Sequence, residues 1–374
     1  MMTQDTAIQF LPRGQGPRLI LYHQTYHPDN GAYCSLLPLI TNNTGVTHVI
    51  AAAIHVNEGP GNVTLNDHHP SHERYNTLWA EIAWLQASGI KVLALLGGAA
   101  KGTFQRLDSD DTQRFEAYYT PLRDLIRQYN LQGLDLDVEE EMSLPGIIRL
   151  IDRLRADFGP EFLITLAPVA TALLPGSPHL SGFDYFLLEQ MRGHEIAWYN
   201  TQFYCGWGDA SNTFWYDAMM SVGWRAEKVV MGLITNPGLG AGHVEMRQME
   251  AVLRTLRAKY PAFGGVMGWE YFNALPGGAE RPWEWAMCMG RILRTPALVP
   301  QPPALPGPGS SASRQVPIRP YGGPAPNVPL APQPYPAESV KTLQDMGFGH
   351  QQAVAALNMT NGNVEQAAGL LFDD

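Results

Sequence analysis

The chain has 374 residues, 45% of them hydrophobic and 16% charged, with a net charge of −10. That composition supports a large folded core and excludes general disorder. The acidic balance leaves no basic footprint for nucleic acid or an anionic membrane surface, and the most apolar run, KVLALLGGAA at 91–100, is far short of the ~20 residues a membrane span needs.

In chain order, eight short aliphatic or β-branched runs read as strands: 18–26, 46–56, 90–98, 131–139, 161–170, 196–204, 227–235 and 263–272. Between them lie amphipathic candidates for helices, such as 110–129 and 243–260. Near-continuous apolar strands separated by helices indicate a parallel sheet buried on both faces. Eight such units fit a (β/α)8 TIM barrel, with an open doubly wound sheet as the alternative. Composition then shifts: residues 296–336 hold 14 prolines, no acidic residue and only Arg314 and Arg319 as charges. Such a segment reads as an extended, flexible linker. Residues 338–372 follow with three short helical stretches at 338–345, 350–358 and 363–372, so the expected division is a barrel over 1–295, a linker over 296–337 and a small helical module over 338–374.

The start, MMTQDTAIQFLPRGQG, has no basic segment followed by an apolar one, so no secretory signal is expected. Cys34, Cys205 and Cys288 are odd in number and widely spaced, which suits buried thiols in a reducing compartment. The expectation is a cytoplasmic protein needing no cofactor and no metal. His68, His69 and His72 lack the spacing and acidic companion of a metal site and read as a solvated loop.

The chemistry concentrates in QGLDLDVEEE at 132–141. On a strand, Asp135, Asp137 and Glu139 point to one side and Leu134, Leu136 and Val138 to the other. At the C-terminal end of a barrel strand, the carboxylates form a column rising to the mouth, where barrel enzymes work. Crowding raises the pKa of at least one member while others stay ionised, which places a protonated acid beside a carboxylate. Glu139, outermost and longest, is the candidate acid. A solvated acidic turn around Glu139, Glu140 and Glu141 and a Mg²⁺ site are the other readings of the same cluster.

LQGLDLDVEE resembles the D-G-x-D-x-D-x-E signature of glycoside hydrolase family 18, the chitinases and related endo-β-N-acetylglucosaminidases, and is most similar to their hevamine-like members. NTQFY at 200–204, LITLAP at 163–168 and GVMGWEYFN at 265–273 resemble that group's later strands, in the same order. The resemblance implies Glu139 as general acid/base, Asp137 as the group that orients the substrate's N-acetyl arm, Asp135 as its support from below and Tyr204 as a hydrogen-bond donor to the same acetamide. It implies substrate binding by Gln202 and by Trp269, which floors the reacting sugar; Tyr22 and Trp207 are further binding candidates, and Trp207 and Trp215, after the sixth strand, either stack on sugar faces or pack their loop. The substrate class that the resemblance implies is an N-acetylglucosamine-containing oligosaccharide, cleaved with help from its own acetamide. Two positions depart from the pattern: Gln132 replaces the first Asp, and Leu95 replaces a serine expected near the inner Asp.

The tail is similar to a ubiquitin-associated (UBA) domain. Met346, Gly347 and Phe348 match its M-G-F loop, and Leu370 and Leu371 its leucine pair; together these imply an apolar patch for ubiquitin. A sugar-binding adaptor that links glycans to ubiquitin without catalysis is the rival from another class.

Overall fold

In a computed structural model, residues 16–28, 31–295 and 337–345, with Leu357 and Val364, are described. They belong to two compact units, which are treated separately.

Among its described residues the first unit holds nine strands: β1 (Arg18–His23), β2 (His48–Val56), β3 (Val63–Leu65), β4 (Lys91–Gly97), β5 (Gly133–Asp137), β6 (Leu163–Leu166), β7 (Trp198–Gln202), β8 (Val229–Ile234) and β9 (Gly265–Trp269). Eight are parallel and run in chain order around a cylinder, skipping β3. The cylinder closes because β1 pairs on one side with β2, Ile20 beside His48, and on the other with β9, Ile20 beside Met267. The eight runs expected as strands are the eight staves of this (β/α)8 barrel. Helices cover the outside, among them Thr112–Gln128 and Met246–Lys259 within the two stretches expected. The former starts where Asp111 accepts the Gln113 backbone N–H at 2.8 Å, satisfying a donor the helix cannot satisfy itself.

Strand alternation divides the core into two layers. Ile20, Tyr22, Leu93, Leu95, Trp198, Val230 and Met267 fill the barrel interior. Leu19, Leu21, Val92, Leu134, Leu136, Ile164 and Val266 pack in the outer layer. Leu134, Leu136 and Val138 lie in that outer layer, so Asp135 and Asp137 face inward, as the period-two pattern predicts.

The hairpin made by β3 was not legible in advance. β2 runs past its parallel partner and turns back at Gly59–Gly61, so Ile54 pairs with Leu65 in antiparallel register. Three residues are too few to show a strand pattern, and the pairing depends on how far β2 overhangs the barrel mouth.

Gly97 ends β4 with φ of +95°, and a Cβ there would meet the Asp137 carbonyl at 2.6 Å. Gly97→Ala is therefore expected to cost about 2–4 kcal/mol, from left-handed backbone strain plus overpacking, read as a lower denaturant midpoint.

In the second unit a helix spans Ala337–Asp345, with Val340 and Leu343 buried. It coincides with the first helix expected there. Leu357 and Val364 are helical too. The proline-rich segment and Met346, Gly347, Phe348, Leu370 and Leu371 lie outside the described residues.

Candidate active site

The three carboxylates stand at successive depths. Asp135 is fully buried, Asp137 nearly so, and Glu139 is half-buried just beyond the end of β5. Asp135 accepts three hydrogen bonds: from Tyr22 Oη on β1 at 2.6 Å, Thr165 Oγ1 on β6 at 2.5 Å and Asn200 Nδ2 on β7 at 2.9 Å. Asn200 is aimed by Trp198, whose Nε1 donates to its Oδ1 at 2.9 Å. Burial still raises the Asp135 pKa, with the three donors working against it.

Asp137 has fewer partners. Gln202 Nε2 donates to Asp137 Oδ1 at 3.2 Å, to Glu139 Oε1 at 3.1 Å and to the Ala167 carbonyl at 2.9 Å. One amide with two hydrogens thus bridges the two outer carboxylates and is itself held by the end of β6. Burial first, then the charges of Glu139 and Asp135, push Asp137 well above the usual carboxylate range. Desolvation is the leading cause of the rise in both Asp135 and Asp137. Tyr204 Oη lies among the same carboxylates; burial, then Asp137 and Glu139, hold its pKa well above that of a free phenol, so it remains a donor.

Asp137, Glu139, Gln202, Tyr204, Trp207 and Trp269 line one cleft of about 460 Å³ at the mouth of the barrel. Tyr22 lies beneath, its ring 5.6 Å from that of Trp269. All eight barrel residues expected at the site are brought together. Trp215 does not line the cleft; it packs on the outer core. Nor is the turn after β5 a solvated acidic one. Glu140 is buried and accepts the backbone N–H groups of Gly102 and Phe104 at 2.5 and 2.7 Å, which fixes the β4 exit loop against the column.

Both departures from the pattern have local compensation. Gln132 Oε1 accepts the Val92 backbone N–H at 3.1 Å, so it stitches β5 to β4 rather than supporting the carboxylates. Leu95 joins the apolar interior with Tyr22 and Tyr204, and Thr165 and Asn200 supply donors to Asp135 instead of a serine. These two were missed, although they sit two residues before Ala167 and Gln202 and hence on the same strand faces. Glu270 was missed too: its carboxylate accepts Gln24 N, Thr25 N and Thr25 Oγ1 at 2.8, 2.9 and 2.7 Å, which ties the residue after Trp269 to the exit of β1. Cys205 departs from the expectation of buried thiols. It is exposed at the cleft wall, at a left-handed position (φ of +55°) past the end of β7. His68, His69 and His72 sit on the loop expected, where His72 Nδ1 accepts from the Arg74 backbone and His68 Nδ1 lies 3.1 Å from the Arg74 guanidinium.

A family model for glycosyl hydrolases family 18 matches residues 18–237, more than half of the chain. The chain belongs to glycosyl hydrolase family 18. Among solved structures, a chitinase, ChiC, from Aspergillus fumigatus is 57% identical over 72% of this chain and 97% of that one, with a TM-score of 0.68. A fungal family 18 endo-β-N-acetylglucosaminidase is 50% identical over 74% of this chain and 98% of that one, with a TM-score of 0.72. Chitinase 2 of Rhizopus oligosporus is 28% identical over 219 residues, 53% of this chain and 37% of that protein. The chain spans between a fifth and two fifths of the length of the first curated relatives it matches. Beyond the family 18 barrel, residues 335–371 match the UBA/TS-N domain.

Proposed function

We propose that the barrel hydrolyses β-1,4 bonds adjoining N-acetylglucosamine in chitin-type oligosaccharides, with retention at the anomeric carbon. The observation that carries this reading is the Gln202 amide spanning Asp137 and Glu139 at 3.2 and 3.1 Å in a Trp269-lined cleft. An acid and a carboxylate two residues apart at the end of β5 serve a reaction in which the sugar's own acetamide is the nucleophile.

Burial and its two charged neighbours favour the protonated form of Asp137, so in this reading the pair's proton starts there. When the acetamide enters, Asp137 passes that proton to Glu139 and its freed oxygen accepts the acetamide N–H. Tyr204 donates to the acetamide oxygen and orients it. That oxygen then bonds to the anomeric carbon as the glycosidic C–O bond breaks, and Glu139 gives its proton to the departing oxygen. The ionised Asp137 stabilises the oxazolinium cation. Water next attacks the anomeric carbon from the vacated side, Glu139 takes its proton, the ring opens, and two inversions give net retention.

A second reading within the class is endo-β-N-acetylglucosaminidase action on N-glycans, favoured by the 50% identity to a fungal enzyme of that kind. The deciding assay offers purified protein a mixture of chitohexaose and a high-mannose glycopeptide, with products read by mass spectrometry. Chitohexaose consumed supports the chitinase reading and glycopeptide consumed the other. Both substrates intact sinks hydrolysis and moves the glycan-binding adaptor ahead.

For the tail, the 335–371 match supports a ubiquitin-binding module and, with it, residence where ubiquitin is found, in the cytoplasm. Met346, Phe348 and Leu371 would carry the docking patch. Immobilised ubiquitin should retain the full chain, and Phe348→Ala should weaken retention by about tenfold or more, the size of a lost aromatic anchor at an interface. Equal retention of both proteins would remove this patch from the account.

A further inference from the structure

The barrel has a second opening, at the end away from the carboxylate column. A cavity of about 610 Å³ lies among the first residues of the strands, with Arg18 of β1, His48 of β2, Lys91 of β4 and Trp198 of β7 in its lining. It shares no lining residue with the catalytic cleft.

In a chain of net charge −10, the balance here runs the other way. The charged side chains of the lining are Arg18, Lys91 and Glu227, and the Glu227 carboxylate is already taken by Arg225 Nε at 2.6 Å. Arg18 and Lys91 have no ion-pair partner among the described residues. The Arg18 guanidinium is nevertheless fixed. Its Nη1 donates to the carbonyls of Glu227 at 2.8 Å and Gly264 at 3.3 Å, and its carbon sits 4.4 Å from the centre of the Trp198 ring. Nε and Nη2, the edge of the fork that meets two oxygens of one anion, have no partner among the described residues.

His48 adds a neutral donor. Thr47 Oγ1 lies 2.7 Å from His48 Nδ1 and 3.0 Å from the Leu19 carbonyl, which the Thr47 backbone N–H already meets at 2.9 Å. The closer Nδ1 takes the hydroxyl hydrogen, which assigns the ring's own hydrogen to Nε2, and Nε2 has no partner among the described residues. Burial first, then the charges of Arg18 and Lys91, hold the His48 pKa down at about 3. Burial also lowers Arg18 to about 10, with the Glu227 charge opposing it. Both shifts have the sign of a positive, partly desolvated site that a bound anion would relieve.

We propose that this cavity binds a phosphate monoester, its phosphate held by the Arg18 fork, Lys91 and His48 Nε2 and its organic part filling the remaining space. A phosphate monoester carries about one and a half to two negative charges at neutral pH, which matches two cations; a carboxylate brings one. Binding at this end does not depend on whether the cleft cleaves sugar.

The test is calorimetric titration of the full chain with inorganic phosphate, phenyl phosphate and benzoate, in Tris buffer at fixed ionic strength. Both phosphates should bind, and benzoate about tenfold more weakly or less. Lys91→Ala, at an exposed position, and Arg18→Lys, which keeps the charge and loses the fork, should each weaken phosphate binding about tenfold, the size of one lost charge-assisted hydrogen bond. Glu139→Gln should bind phosphate as wild type does. No binding of either phosphate by the wild type overturns the site. So does full retention by Lys91→Ala or by a folded Arg18→Lys, or loss in Glu139→Gln, each of which places the anion elsewhere. Benzoate bound as tightly as phenyl phosphate overturns the assignment to phosphate.

Discussion

Glu139→Gln is expected to lower kcat on a chitobioside by about 10²–10⁴-fold, the usual contribution of a positioned general acid, with KM nearly unchanged. The amide is nearly isosteric and retains an oxygen to accept from Gln202, now 3.1 Å from Glu139 Oε1, so the cleft should keep its shape and only the proton is lost. Three outcomes separate the readings of the acidic cluster. A large kcat loss with unchanged melting temperature supports acid catalysis. A kcat within tenfold of wild type sinks it, since a solvated acidic residue or an adaptor has no use for that proton. Loss of wild-type activity in EDTA would favour the metal reading instead. That reading meets a geometric obstacle, because Tyr22, Thr165 and Asn200 already occupy both Asp135 oxygens.

Asp137→Asn should do two opposite things. Activity should fall about 10²-fold or more, because the cation loses its facing charge, while at pH 7 the fold should gain about 1–2 kcal/mol, a melting-temperature rise of about 2–6 °C. The sign follows from linkage. Asp137 is raised in the folded state by burial, Glu139 and Asp135, so folded protein binds its proton more tightly than unfolded protein does. Below the unfolded carboxylate pKa of about 3.9 both states are protonated and the wild type has its full stability. As the pH climbs from there through the raised folded pKa, the unfolded chain ionises first and the wild type loses stability. The amide carries no such cost. The stability difference should therefore open above about pH 4 and widen toward neutrality. A difference that is flat with pH, or largest in acid, would show that Asp137 is not the strained member of the column.

Both predictions turn on which side chain lies at which depth, and here the division between sequence and structure is clear. Period-two alternation is a property of any strand, so LDLDVE alone placed Asp135, Asp137 and Glu139 on one face and the leucines on the other. It could not say which carboxylate burial would raise most, since desolvation depends on what packs around each. The run Glu139–Glu141 is uniformly acidic in sequence. Yet Glu140 is buried on two backbone N–H groups and Glu139 stands at the cleft, a difference that only the end of β5 and the course of the β4 loop decide. Leu95 could be read as a missing support, but its replacement by Thr165 and Asn200 required strands β6 and β7 to be in register around Asp135.

By itself the sequence determined the eight strands, their order, the inward column and the helical start of the tail, because these depend on local periodicity and turn residues that survive in any context. Tertiary structure alone decided the Gln202 bridge, the Glu270 tether, the exposure of Cys205 and the cavity among the strand starts. The bridge, the tether and the cavity bring together groups far apart in the chain, such as Gln24 and Glu270. Their distances exist only once the barrel closes β1 against β9.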